Sequence, residues 1–88
     1  MTLADILPRV QTLLGDIGCS HVTIRRSIPV NEQHVDLWSR YRFEPDRDQL
    51  RGYTIHKFGL TGWRQLPDYG EHFAVEDVLA TNWEIATS

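Results

Sequence analysis

In the stretch HVDLWSRYRF, residues 34–43, an indole and two guanidiniums stand two positions apart: Trp38, Arg40 and Arg42. In an extended chain successive side chains point to opposite faces, so this spacing gathers all three on one face, with His34 and Asp36 preceding them. Guanidinium forks match the oxygens of phosphate, and a large aromatic ring offers a flat surface to a base or to the cation itself. The chemistry implied is recognition of an anion that carries a ring. Trp63 is a second candidate for stacking. Arg26 is a less regular member of the set, because it interrupts the alternation of SHVTIRRSI on the face that should be buried. A guanidinium there is costly without a partner, so it either reaches water at a sheet edge, the favoured reading, or meets an acid or an anionic ligand.

Other chemistries find less support. His34 and Asp36 have a spacing that can chelate, but His21, His56 and His72 stand in no motif relation to them, and zinc needs three or four ligands together. No metal or other cofactor is therefore expected. Cys19 lies two residues from His21 without an orienting acid, and no nucleophile elbow or phosphate loop occurs, so the chain reads as non-catalytic. An aromatic and basic sheet face of Trp38, Arg40 and Arg42, with Arg25 as an optional fourth member, would also suit single-stranded nucleic acid, but a pI near 5.7 and an acidic tail argue against a phosphate-dominated interaction. Arg40 and Arg42 have an ordinary reading as well, as partners in surface ion pairs with Asp36, Glu44 or Asp46.

The elements that must position these residues follow from periodicity. Leu3, Ile6, Leu7, Val10, Leu13, Leu14 and Ile17 form one apolar stripe, predicting a helix over about 6–15 with Asp5 as N-cap and Gly15 or Gly18 closing it. Pro8 then falls in the first turn. Period two takes over at 20–28, 33–43 and 51–58, with turns at EPDRDQ, at the two glycines of FGLTGW and at PDYG, and WRQL supplies a short strand. Val75, Val78 and Leu79 mark one helical turn whose apolar side should press on the sheet. Glu76 and Asp77 suit its start, and Asn82 its stop. NWEIA gives a last strand on which Trp83 closes the core. The expectation is a single α+β domain over 1–88: an N-terminal helix packed on an antiparallel sheet of about four to five strands, with a short C-terminal helical turn.

Eighty-eight residues form a modest core, and one cysteine provides no disulfide framework, which suits a reducing cytoplasm. No apolar run is long enough for a membrane span, and the first residues lack the basic region of a signal peptide, so no membrane partner is expected. Charge is unevenly spread: residues 21–57 hold seven Lys or Arg against five acids, while 68–88 hold five acids and neither Lys nor Arg.

The ending Asp77-Val78-Leu79-Ala80, then Asn82 and Trp83, resembles the C-terminal segment of the Thoeris anti-defence two family, small phage-encoded domains of similar length. Asn82 stands where that family usually carries Asp, and its N-terminal pattern has no counterpart here. The resemblance implies a phage protein in the host cytoplasm, a homo-oligomer, and non-catalytic sequestration of a cyclic ADP-ribose-type signal. On that reading Arg26, His34, Trp38, Arg40, Arg42 and Trp63 would line the ligand site. The alternative is a protein-binding inhibitor of a host defence complex, such as a CRISPR effector, whose acidic residues Asp68, Glu71, Glu76, Asp77 and Glu84 imitate nucleic-acid phosphate.

Overall fold

The chain starts with a helix because its first turn caps itself. In α1 (Leu3–Leu14) the Thr2 hydroxyl accepts from the Asp5 backbone N–H, and the Asp5 carboxylate accepts in return from Thr2, forming a capping box. Asp5 thus serves the third helical position and Thr2 is the cap, so the helix begins three residues earlier than Asp5 as N-cap would place it, at the first residue of its apolar stripe. Gly15 closes it, which leaves Ile17 beyond the end and fully exposed. Leu3, Ile6 and Val10 form its buried face.

The computed structural model describes residues 1–28, 37–48, 52–67 and 73–87. Five strands follow the helix: β1 (Val22–Ile28), β2 (Leu37–Pro45), β3 (Tyr53–Gly59), β4 (Gly62–Gln65) and β5 (Glu84–Thr87), with a short helix, α2 (Val75–Leu79), before the last. All pairings are antiparallel, in the order β4-β3-β2-β1-β5. The expected α+β architecture is therefore observed, with five strands. Expected strand residues 33–36, and most of the PDYG turn, lie outside the described residues.

Alternation sorts the sheet into two faces. Val22, Ile24, Tyr41, Phe43 and Ile55 point inward under α1 and are nearly or wholly buried, together with Leu66 and Trp83. Burying each such side chain contributes on the order of 1.5–3 kcal/mol, so these positions hold the sheet to the helix. Tyr41 rests edge-on against Phe73 and tilted against Trp83, with ring centroids 4.8 and 5.7 Å apart. The β3–β4 hairpin turns through Leu60 and Thr61, between Gly59 and the paired Gly62, whose φ of 101° a side chain would strain.

The short helix is inverted relative to expectation. Val75, Val78 and Leu79 are exposed, and Asp77 is the residue it buries. The reason is polar: Asp77 accepts from Arg26 Nε at 2.8 Å and from the Tyr41 hydroxyl at 2.6 Å, and its carbonyl accepts from the Trp83 indole at 2.8 Å. Those three hydrogen bonds fix which side of α2 meets the sheet, against the apolar pattern of VEDVL. Arg26 is accordingly no edge residue. β1 has β2 on one side and β5 on the other, and the guanidinium finds an acid.

Candidate functional site: the outer sheet face

The face opposite α1 is built by β1 to β4 with an edge from β5. From β2 come Trp38, Arg40 and Arg42, which share a side because Ser39, Tyr41 and Phe43 take the other. Register brings Arg25 opposite Arg40, Ser27 opposite Trp38, and His56 opposite Arg42. Phe58 and Trp63 face each other across the β3–β4 hairpin, ring centroids 5.3 Å apart.

Cations and rings interleave over this surface. The Arg25 guanidinium lies 4.3 Å from the Trp38 ring centre, Arg40 lies 5.3 Å from Phe58, and Arg42 lies 4.7 Å from Trp63. Each contact is of the kind worth about 0.5–1 kcal/mol at an exposed site. Together they hold three flexible side chains flat along the sheet, so a ligand would meet a surface already ordered.

The charges on this face are not equally occupied. Arg25 Nε pairs with Glu84 at 2.7 Å. Glu44 serves both Arg42, at 3.6 Å, and His56, whose Nε2 is 2.6 Å from the carboxylate and 3.1 Å from the Thr54 hydroxyl. At 3.6 Å the Arg42 contact is electrostatic only, and the buried Nε finds no hydrogen-bond acceptor. Among the described residues Arg40 has a ring beneath it and no carboxylate beside it. Among the described residues of this face three arginines meet two glutamates, and Arg40 is the arginine left without one.

The candidate residues therefore divide. Trp38, Arg40, Arg42 and Trp63 come together on this face. Arg26 does not join them: it points to the other side of the sheet, is 9% exposed and is spent on Asp77, so it cannot contact a ligand held on the outer face. His34 lies outside the described residues, as do Asp68 and Glu71 of the acidic set. Of the remaining acids, Asp77 is 3% exposed and engaged with Arg26 and Tyr41, which withdraws it from any docking surface; Glu84 is tied to Arg25, and Glu76 is open to solvent.

Arg25, Phe58, His56 and Glu44 complete the face; Arg25 was an optional member on the nucleic-acid reading and Glu44 an expected ion-pair partner of Arg40 or Arg42, whereas Phe58 and His56 were not among the candidates. Their parity is readable, since Arg25 alternates with Ile24, and His56 and Phe58 with Ile55. Which strands lie beside them is set by register, and that depends on turns whose closing contacts, such as the Asp46 N–H to the Gly52 carbonyl, have no simple letter code.

The buried cluster behind the face has its own electrostatics. Burial pushes the Tyr41 hydroxyl up, and its hydrogen bond to Asp77 pushes it further. Burial would raise Asp77 as well, but hydrogen bonds from Tyr41, Arg26 and Ser39 outweigh it and hold the carboxyl below its ordinary value. Tyr41 thus stays protonated and Asp77 ionised, an arrangement that fixes the docking of α2 on the sheet. No cluster of three or more His, Cys, Asp or Glu side chains fit to hold a metal occurs among the described residues. Asp77 and Trp83, two of the residues on which the family resemblance rests, belong to this buried cluster and not to the outer face. Comparison with family models, curated proteins and solved structures yields no match.

Proposed function

We propose that the outer sheet face captures, without catalysis, a small ligand combining phosphate with a flat base, a cyclic nucleotide of the cyclic ADP-ribose type. In this reading the protein is a phage-encoded antagonist that sequesters a host immune signal in the cytoplasm. The observation that carries it is Arg40: a cation with no carboxylate beside it among the described residues, flanked on the same face by Trp38 with Arg25 and by Trp63 with Arg42. Phosphate would take Arg40 first and then compete with Glu44 for Arg42, while Trp38 or Trp63 stacks the base. An open sheet face covers a ligand from one side only, and tight small-molecule sites bury most of the ligand surface. Capture between the faces of two copies supplies the second side and accords with the oligomer that the family resemblance implies.

The acidic rival is carried by fewer groups, since Asp77 is buried and Glu84 is paired. The deciding experiment is retention of a labelled cyclic ADP-ribose isomer by the protein through gel filtration, followed by heat release and chromatography of the freed ligand. Intact ligand retained by the natural chain and lost in Arg40→Ala is expected. Absence of retention at micromolar protein, or release of a converted product, overturns the reading.

A further inference from the structure

Helix α1 packs on β1 and β2, and the inner side of the β3–β4 hairpin carries a feature of its own. There Lys57 lies directly opposite Arg64, and Gly59 opposite Gly62. Two like charges in cross-strand register repel unless an anion lies between or beside them. Among the described residues neither has a carboxylate partner; the Lys57 ammonium rests 5.5 Å from the centre of the Tyr41 ring, which steadies it without neutralising it.

Beside the cations the two glycines leave bare backbone. A Cβ built on Gly62 would meet nothing within 4 Å, and one on Gly59 would meet only the Gly62 carbonyl at 4.0 Å. The result is a notch of about 300 Å³ lined by the two cations and the two glycines together with Phe58, Leu60 and Thr61. That is the lower limit of small-molecule sites. A floor without side chains lets a compact group approach the backbone closely.

We infer that this notch is an anion site for the phosphate end of a phosphate monoester, separate from the outer face and independent of its role. Two cations in register, with no carboxylate partner among the described residues, call for two negative charges on one compact group. A phosphate monoester supplies roughly −1.5 to −2 near neutral pH, whereas a carboxylate supplies a single charge. The organic part of the molecule leaves past Leu60, which is fully exposed and offers it an apolar contact.

The test is a titration of the isotope-labelled protein with phenyl phosphate at constant ionic strength, followed by amide resonances. Saturable shifts centred on residues 57–64 are expected. They weaken at least about tenfold in apparent Kd in the Lys57→Gln/Arg64→Gln double variant. Gly59→Val keeps both charges, puts a side chain into the notch and suits a strand, so it should abolish the shifts while the remaining spectrum stays folded. Arg40→Ala should leave them unchanged. Absence of saturable shifts at residues 57–64, or shifts there that survive Gly59→Val, would each overturn the assignment, whereas a separate set of shifts around Arg25 and Arg40 would report the outer face and leave the notch standing.

Discussion

Arg25 and Arg26 are neighbours in the chain and inhabit opposite faces of one sheet. Each binds a carboxylate from the C-terminal segment at nearly the same distance, 2.7 Å to Glu84 and 2.8 Å to Asp77, and each lies near a tryptophan. What separates them is water. The side chains of the outer pair are 40% and 51% exposed, those of the inner pair 11% and 4%. An exposed pair can be broken and its arginine lent to a ligand at little cost, because solvent screens the charges. The inner pair cannot be broken without stranding a charge away from water, and its rigidity orients α2. An arginine, an indole and a carboxylate thus make an open, exchangeable surface on one side and a latch on the other.

Asp77→Ala tests the latch most severely. It leaves Arg26 and Tyr41 without their acceptor and should cost about 3–5 kcal/mol, read as a lowered denaturation midpoint. Replacing the group together, as Arg26→Met, Tyr41→Phe and Asp77→Leu, removes the orphans and should restore most of the loss. If the triple variant is as unstable as the single one, the cluster contributes more than its own satisfaction. Acid probes the same residue without mutation. Asp77 is held below its unfolded value of about 3.9, so between the two values the unfolded chain binds more protons and stability rises with pH. Its contribution is complete above about pH 4 and disappears as pH falls through the folded value. Asp77→Asn should flatten that part of the stability profile.

These outcomes bear on what could be read in the letters. The helix, the strand alternation and the shared side of Trp38, Arg40 and Arg42 were all legible, since each follows from periodicity within one element. The orientation of α2 was not. VEDVL has its apolar residues where a core-facing turn would place them, and only the distant Arg26 and Tyr41 turn it over. Arg26 itself signalled its need for a partner by breaking the pattern of β1, but nothing local said that the partner would be an acid fifty-one residues away. The outer face was half legible for a related reason: one strand announced its own members, while Arg25, His56 and Phe58 joined through register.

The inversion of α2 gives a smaller and opposite effect. Val78→Ser and Leu79→Ser alter apolar residues that are 52% and 72% exposed, and each should change stability by no more than about 0.5 kcal/mol. A loss of several kcal/mol would mean that these residues are covered in solution. Glu84→Gln should likewise cost under about 1 kcal/mol, and by releasing Arg25 it should strengthen phosphate binding on the outer face. The smallest structural effect belongs to Arg40→Ala, whose side chain loses one ring contact and no ion pair among the described residues, so unfolding should move by about 0.5 kcal/mol or less. Its effect on retention of a cyclic nucleotide should nevertheless be the largest on that face, and the retention by the natural chain should fall as salt rises, since the charges involved are open to screening. If Arg40→Ala unfolds the protein, the outer face is held together by its cations as the inner one is; if it binds as well as the natural chain, that face does not take phosphate through Arg40; either result ends the contrast between the two faces.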